Sequence, residues 1–389
     1  MKTRLYIILL LGFTGILSGC EEWIDLKPEN SVTFGNAFET ERDVEAALLG
    51  MEQSVRVNMT VAPWQPQTYG EYSDYRSSYS FDLLNENEPS AYVGQWSGNY
   101  NVIAAANVPL PYLDEVDMSQ ERRDFYRGCI AFFKAFTYLD LIRRWGDCVL
   151  IRDEVETEPI GKTSWPVVAD YAIAQAREAV RLLPEWDELR DADGNAVTHR
   201  ARPCKGAANA VLAHLCAWKA GCKYMAQPDD RDYDEQALWR TADSACTAII
   251  SRLDIYDLEA NPNAVCEKTF VDGGKECIFE SVFQGYWGEL EAVYAQYNTI
   301  CLGQSYESYP VISGRQIGDI KYTIYRILNT TARAMFGEYE ESGKVRHDTR
   351  RDAWFYNFEE MEQMDEAITG GYAYPYKWRY ARVGTGEWD

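Results

Sequence analysis

The chain has 389 residues, of which 46% are hydrophobic, and it carries 38 Lys and Arg against 61 Asp and Glu. A chain of this length and apolar content can bury a sizeable core, which excludes a disordered tail. The formal net charge of −23 argues against nucleic acid or anionic lipid as a partner, because both require clustered positive charge.

The N-terminus has the pattern of a secretory signal. Lys2 and Arg4 precede an uncharged apolar run that is shorter than the roughly 20 residues of a membrane span. The run ends in Leu17-Ser18-Gly19 just before Cys20, which resembles the lipobox of bacterial lipoproteins. We therefore expect residues 1–19 to be removed and Cys20 to be lipidated as the first residue of the mature chain. An uncleaved anchor followed by an ordinary cysteine is the alternative.

Apolar residues recur at helical spacing in the first two thirds of the chain. The clearest stripe has steps of three and four residues, which place its side chains on one face of a helix. It consists of Phe125, Cys129, Phe132, Phe136 and Leu139. Before another predicted helix, Ser164 provides a cap and Pro166 lies in the first turn. In chain order, the predicted helices pass through residues 96–107, 125–139, 168–183, 208–222 and 238–249.

The alternation of these helices with loops predicts an all-α fold, with a tetratricopeptide-like helical-hairpin scaffold, irregular loops and a few short strands. No strict repeat of about 34 residues is visible, so this prediction depends on the alternation alone. After about residue 260 the chain is rich in Gly, Tyr and turns, and residues 277–284 have the pattern of a short strand. We expect a single domain over residues 20–389, in which the helical scaffold carries a loop-rich remainder.

Nine cysteines follow Cys20, and an exported chain meets an oxidising compartment in which cysteines can pair. Their spacing does not reveal the connectivity, and the odd number leaves at least one free thiol in a monomer. Cys129, Cys216 and Cys246 lie at apolar helical positions, where we expect small buried hydrophobes. No Cys-x-x-Cys pair occurs and the three His are far apart, so we predict no zinc site and no cofactor.

Several motifs occur in a fixed order between residues 17 and 285. Two acidic residues follow Cys20, and the next motif combines Trp23-Ile24-Asp25 with Pro28. The most specific stretch runs from Ala135-Phe136-Thr137-Tyr138-Leu139-Asp140-Leu141 into Arg144-Trp145-Gly146-Asp147. The series also contains the helix pattern of residues 96–107, Lys205-Gly206-Ala207-Ala208 and Glu276-Cys277-Ile278-Phe279-Glu280. Together these segments resemble the SusD/RagB family, the surface lipoproteins that Bacteroidetes use in nutrient uptake.

The sequence departs from the family pattern in three places. Lys134 stands where Arg is common in the family, and Cys148-Val149 replaces the usual Val-Pro. Family members usually continue with a long C-terminal helical segment, whereas this chain stops at Trp388-Asp389. The resemblance therefore implies a shortened or truncated member of the family.

The resemblance implies a binding protein and not an enzyme. Members of the family are anchored by lipid to the outer-membrane surface, capture an oligosaccharide or another nutrient, and act as a lid on a SusC-like TonB-dependent transporter. The sequence itself contains no nucleophile elbow, no zinc-protease motif and no phosphate or dinucleotide loop. Two alternatives stay open: an exported helical glycoside hydrolase, and a peptide- or glycoprotein-binding member of the same family.

One acidic segment resembles the start of a calcium loop. It contains Asp191, Asp193, Gly194 and Asn195. A calcium loop needs a Glu eleven residues after its first Asp, at the position where this chain has Arg202. We therefore predict that the segment is a polar turn before the next helix and that it binds no metal.

Aromatic residues are dense in two loop regions, with nine between residues 64 and 100 and seven between residues 281 and 310. Tyr and Trp offer a flat apolar face with a polar handle, which suits the C–H face of a pyranose. Neighbouring Asp, Asn and Arg side chains suit its hydroxyl groups. The resemblance implies a ligand site in the same place, built from loops over the N-terminal helices and from a later insertion.

Five residues are the candidates for direct contact with a sugar. Tyr72, Asp74 and Arg76 are predicted to bind hydroxyl groups at the rim. Trp287 is the predicted stacking platform, and Tyr286 is the second choice for that role. Four other aromatic residues are expected to pack the scaffold: Trp96, Tyr100, Trp145 and Trp218.

Overall fold

A computed structural model describes residues 37–61, 75–76, 96–154, 158–270, 273–282, 325–363, 371–373 and 376–377. Six helices of this part form the N-terminal scaffold: α1 (Glu41–Val61), α2 (Ser97–Asn107), α3 (Gln120–Trp145), α4 (Trp165–Leu182), α5 (Lys205–Gly221) and α6 (Glu235–Ile250). Strand β1 (Tyr75–Arg76) follows α1, while β2 (Cys148–Val149) and β3 (Lys162–Thr163) pair between α3 and α4. None of the described helices is both long and apolar enough to cross a membrane.

Local side chains determine where the scaffold helices begin and end. At the start of α3, Ser119 Oγ accepts a hydrogen bond of 3.2 Å from the backbone N–H three residues later. Asp234 Oδ1 accepts an equivalent bond of 3.0 Å at the start of α6. Ser164 lies at the cap of α4 with Pro166 in the first turn, as predicted, although its hydroxyl makes no cap hydrogen bond. Helix α3 ends at Gly146, whose φ of +68° favours glycine.

Helix α3 is the centre of the scaffold. It packs against α1, α2, α4 and α5, and α5 packs in turn against α4 and α6. The predicted stripe of α3 is confirmed, because four of its side chains are buried and Phe136 packs against the same core. The buried members are Phe125, Cys129, Phe132 and Leu139. Consecutive helices that pack together, α3 with α4 and α5 with α6, form helical hairpins, and the predicted all-α scaffold is confirmed.

Two glycines allow neighbouring side chains to approach the helices closely. A Cβ atom at Gly128 would lie 2.8 Å from Cδ2 of Leu183, and a Cβ atom at Gly206 would lie 2.1 Å from Oη of Tyr256. Both distances are shorter than van der Waals contact, so a larger residue would displace the packed side chain. The glycine of the Lys-Gly-Ala-Ala motif at the start of α5 is therefore explained by the close packing of Tyr256.

The later part of the chain is built from short elements. Helix α7 (Pro262–Ala264) continues directly into a π-helix (Val265–Thr269). The described residues from 325 onwards, here called the C-terminal region, contain α8 (Asn329–Met335), α9 (Arg350–Trp354) and α10 (Phe358–Gln363). They also contain β4 (Tyr325–Leu328), β5 (Glu338–Glu341), β6 (Lys344–His347) and β7 (Tyr372–Ala373). The predicted presence of a few short strands is confirmed.

Two small antiparallel sheets organise the C-terminal region. Strand β4 lies between β1 and β7 in a three-stranded sheet, and β5 pairs with β6 in a hairpin. The hairpin turn consists of Ser342 and Gly343, whose φ angles of +54° and +72° are those of the tight turn that best fits the strand twist. One buried cluster lies beneath these elements: Ala332, Phe336, Phe355, Phe358 and Ala373.

The predicted strand over residues 277–284 is wrong for the part that the structure describes. Residues 277–282 form no strand. Instead, Phe279 packs edge-on against Phe132 of α3, with ring centroids 4.9 Å apart. The backbone N–H of Glu280 donates to the carbonyl oxygen of Arg200 at 3.2 Å, and Glu280 Oε1 accepts from the backbone N–H of Arg200 at 2.8 Å. The apolar pattern therefore reflects docking onto the helical scaffold.

The eight cysteines in the described part of the chain are all free thiols. Cys129 and Cys216 are buried, as predicted, but Cys246 is exposed and its prediction is wrong. Helix α6 packs against α5 and buries Ala242 and Ala245 on that side. Cys246 is one position past Ala245 and lies on the outer face, so the apolar pattern alone does not identify the buried side.

Candidate functional site

Most of the predicted ligand residues lie outside the described part of the chain. This holds for Tyr72, Asp74, Tyr286, Trp287 and the lipidation residue Cys20. Arg76 belongs to β1, where strand pairing places it opposite Tyr325 of β4. The structure thus locates the end of one predicted binding segment, while the roles of all these side chains stay predictions.

The three-stranded sheet joins this segment to the C-terminal region. Strand β1 pairs with β4 through Tyr75 opposite Arg326 and Arg76 opposite Tyr325. Strand β4 pairs on its other side with β7, whose residue Ala373 belongs to the buried C-terminal cluster. Residues 75–76, which end the predicted binding segment, are therefore held in a sheet that borders the buried C-terminal cluster.

Buried charges hold α1, which precedes the binding segment, against the scaffold. Arg202 Nη2 lies 2.5 Å from Glu45 Oε1, and Arg202 Nε lies 2.8 Å from Glu52 Oε1. The side chains of all three residues are almost completely buried. Arg122 of α3 adds a contact of 2.5 Å to Glu41. Removing Arg202 would leave two buried carboxylates without their partner, which costs about 3–5 kcal/mol, so this arginine fixes the position of α1.

The Glu52 carboxyl group is almost completely buried among charged neighbours. Burial raises its pKa to about 7, although the neighbouring guanidinium groups of Arg202 and Arg56 favour the charged form. The repulsion of Glu45 acts in the same direction as burial.

At the other end of the segment, Trp96 lies at the cap of α2 and packs on the scaffold. Its ring is 5.8 Å from that of Tyr100, in an edge-on arrangement, and 6.4 Å from that of Trp145. The Tyr100 hydroxyl donates to the carbonyl oxygen of Val149 at 2.9 Å, which ties β2 to α2. Trp218 also packs against the core, beneath a scaffold arginine. The predicted packing role of these four aromatic residues is confirmed.

The segment that resembles the start of a calcium loop is a polar turn. Asp191 Oδ1 accepts hydrogen bonds from the backbone N–H groups of Asp193 and Asn195, at 3.0 and 2.8 Å. Arg202, which stands at the position of the calcium-binding Glu, pairs with α1 instead. Within the described ranges, no group of three or more His, Cys, Asp and Glu side chains is placed to hold a metal ion.

An open cleft of about 310 Å³ lies between residues 258–276 and the C-terminal region. Phe270 and Trp354 contribute aromatic rings to it, and the rest of the lining combines apolar side chains with four charged ones. The sequence reasoning missed both aromatic residues. Trp354 lies within the run Ala353-Trp354-Phe355-Tyr356, which is a local signal for an aromatic site. Phe270 has no aromatic neighbours in sequence, and only the fold brings it to Trp354.

Comparison with known protein families shows to which of them the chain belongs. A SusD-like family, described as starch-binding and associating with the outer membrane, matches residues 22–216, which is half of the chain. The chain belongs to the SusD-like family. The resemblance seen in its motifs is therefore confirmed. The matched range includes α1 to α4 and most of α5, and it extends over the predicted segment with Tyr72, Asp74 and Arg76.

Individual SusD-like relatives agree with this assignment. The SusD-like protein P38 of Formosa agariphila is 25% identical over 148 residues, which are 36% of this chain and 28% of that protein. A SusD-like carbohydrate binding protein from Bacteroides vulgatus has a TM-score of 0.54 at 17% identity, over 83% of this chain and 67% of that structure. A SusD superfamily protein from Bacteroides thetaiotaomicron has a TM-score of 0.52 at 21% identity, over 77% and 63%. The two structures share the SusD-like fold, and the chain spans only part of the length of these relatives.

Proposed function

We propose that the protein is a lipid-anchored, surface-exposed glycan-binding protein that delivers an oligosaccharide to a SusC-like TonB-dependent transporter in the outer membrane. The observation that carries the proposal is the match of residues 22–216 to a family described as starch-binding and associating with the outer membrane. The role is binding without catalysis. The ligand is held by stacking on aromatic rings and by hydrogen bonds to its hydroxyl groups, and no bond is made or broken.

The proposed ligand site lies on the segment between α1 and α2, together with the later insertion. Tyr72, Asp74 and Arg76 bind hydroxyl groups at the rim, Trp287 is the stacking platform, and Tyr286 is the second aromatic contact. The frame around the first segment supports this assignment, because α1, β1 and α2 are each fixed to packed structure. A frame that is ordered before binding lowers the entropic cost of capturing the ligand.

Native affinity electrophoresis tests the ligand class and the platform. Purified protein is run in gels containing amylopectin, laminarin, xyloglucan or galactomannan, and we expect retardation by at least one of them. Trp287→Ala should weaken that binding about tenfold, the scale of a buried aromatic anchor. Trp239→Ala is the matched control, because Trp239 is an exposed tryptophan on α6. Equal retardation of Trp287→Ala and the parent would show that the platform assignment is wrong.

The same purified protein separates the two rival functions. A glycoside hydrolase would release shorter products from the glycan that it binds, whereas we expect the glycan to be unchanged after long incubation. A peptide- or glycoprotein-binding member of the family would bind a peptide library and leave a glycan array blank. That second result would contradict the proposed ligand class.

The anchor and the partner are tested in cells that make the protein. We expect it in the outer-membrane fraction, labelled by a fatty acid and co-purifying with a large barrel protein. Cys20→Ala should abolish the labelling and release the protein from the membrane. Cys246→Ala is the control, because it removes an exposed cysteine from α6. Purification without a barrel protein would contradict the proposed transporter partner.

A further inference from the structure

We propose that the cleft between residues 258–276 and the C-terminal region, here called the aromatic cleft, is a second saccharide subsite that takes one uncharged pyranose ring. It is separate from the site proposed on residues 72–76 and the later insertion. The inference rests on the proposed function, because it takes the ligand to be a glycan. Its own support comes from the two aromatic walls, the volume and the charge balance of the cleft.

The two aromatic walls come from separate parts of the chain. Phe270 follows the π-helix directly, and 43% of its surface is exposed. Isolated π-helical turns are rare and are often found at functional sites. Trp354 ends α9 and is held edge-on against Phe336, with ring centroids 5.3 Å apart. A hydrogen bond of 3.8 Å from Cys266 Sγ to the carbonyl oxygen of Ala353 joins the π-helix to α9, so both walls are positioned by packed backbone.

The volume of the aromatic cleft limits what it can hold. At about 310 Å³ it lies near the lower end of the range for small-molecule sites, which is roughly 300–1,000 Å³. A sugar ring with parts of its neighbours fits such a space, whereas a folded partner does not.

The rim offers acceptors and donors for hydroxyl groups. Glu276 Oε2 accepts a hydrogen bond of 2.7 Å from the backbone N–H of Glu259, and Glu259 Oε2 pairs with Lys268 at 3.3 Å. Within the described residues, the second oxygen of each carboxylate accepts no hydrogen bond. The ammonium group of Lys377 lies over both aromatic rings, with Nζ 4.2 Å from the centroid of the Trp354 ring and 5.5 Å from that of Phe270, so it covers part of the aromatic surface and places donors beside the rest. A pyranose lying against the rings would thus meet both kinds of partner.

The charges of the lining favour an uncharged ligand. The lining contains two carboxylates, Glu259 and Glu276, and two cations, Arg350 and Lys377, so the formal charges of the lining cancel. The whole chain carries a net charge of −23, which repels polyanions such as uronate-rich or sulfated glycans. Balanced donors and acceptors beside apolar rings match a neutral sugar.

Affinity electrophoresis with amylopectin, laminarin, xyloglucan and galactomannan tests the subsite. Phe270→Ala removes an exposed ring and leaves the buried core intact, and we expect it to weaken binding about fivefold to tenfold. Trp239→Ala, which also removes an exposed aromatic side chain, should bind like the parent. Trp354→Ala should match Phe270→Ala, unless loss of its contact with Phe336 also unfolds the C-terminal region.

Oxidative footprinting with mass spectrometry gives a readout on the intact protein. The bound glycan should protect Trp354 from oxidation and leave Trp239 unprotected, and it should still protect Trp354 in Trp287→Ala at a higher glycan concentration. If the parent binds none of the four glycans, the proposed function fails and the subsite fails with it. If the parent binds but Phe270→Ala is unaffected and Trp354 is unprotected, only the second subsite is overturned.

Discussion

The helical scaffold and the C-terminal region differ in how their interiors are built. Helices α1 to α6 share one continuous core around α3, whereas the described C-terminal region buries a cluster of five residues. Less apolar burial gives less local stability, so the C-terminal region should open without unfolding the scaffold. The aromatic cleft is bordered by the C-terminal region, and its geometry therefore depends on the less stable of the two.

Truncation of one core phenylalanine in each region is the strongest test of this difference. Phe132→Ala should lower the free energy of unfolding of the scaffold by about 3–5 kcal/mol, because Phe132 is buried beside Phe133 and Phe279. Phe355→Ala should open the C-terminal region locally and change scaffold unfolding by less than about 0.5 kcal/mol. Denaturant titration by circular dichroism and limited proteolysis measure the two effects. One cooperative transition that shifts equally in both variants would contradict the difference.

Changing pH tests the charged anchor of α1. Folding raises the pKa of Glu52 from 4.5 to about 7 through burial, so the folded protein binds a proton that the unfolded chain lacks between these values. This stabilisation is complete below pH 4.5 and is lost as the pH rises through 7, with a limit of about 3 kcal/mol. Glu52→Gln keeps the shape and removes the titration. Its free energy of unfolding should match that of the parent at pH 5 and exceed it at pH 8.

The control for this experiment is Glu121→Gln, which removes an exposed carboxylate at the start of α3. Its stability curve should run parallel to that of the parent from pH 5 to pH 8. A parallel curve for Glu52→Gln as well would show that Glu52 does not titrate in this range.

Two helical glycines provide a smaller and local test of scaffold packing. Gly206→Ala places a Cβ atom 2.1 Å from Tyr256 Oη, and we expect a loss of about 1–3 kcal/mol from the forced shift. Gly50→Ala in α1 meets nothing within 4 Å and should be neutral or gain up to about 1 kcal/mol from helix propensity. Thermal unfolding compares the two. Equal melting temperatures would mean that Tyr256 moves aside freely.

The smallest expected change in stability concerns the outer face of α6. Cys246 is exposed, whereas Cys129 is buried and burial raises its thiol pKa well above the ordinary value. A thiol reagent should therefore label Cys246 rapidly and Cys129 only after unfolding. Cys246→Ser should change the free energy of unfolding by less than about 0.5 kcal/mol. Fast labelling of Cys129 in the native protein would indicate an unexpectedly open scaffold.

The scaffold could be predicted from sequence because its helices carry local signals. The stripe from Phe125 to Leu139 and the cap at Ser164 each use residues within one helix. The strand predicted over residues 277–284 was wrong because its apolar residues pack on a distant helix, with Phe279 against Phe132. The burial of Cys246 was misjudged for a related reason, since spacing does not say which side of α6 faces a neighbour.

The candidate site could be predicted only in part. Motifs and aromatic density predicted a binding segment that includes Arg76. Nothing near Arg76 in sequence indicates that it pairs opposite Tyr325. The aromatic cleft could not be predicted for the same reason. Phe270 and Trp354 line one cleft only because α7 packs against α9. Such pairings depend on tertiary packing, which local periodicity does not encode.

The position of β4 between β1 and β7 also has a consequence for the order in which the chain folds. During synthesis and export the N-terminal part emerges first, and α1 to α6 can pack as soon as they are available. Strand β1 has no partner until residues 325–328 have appeared, and the sheet is complete only when residues 372–373 follow. We therefore expect the segment that ends at Arg76 to become ordered last, after helices α1 to α6 have packed.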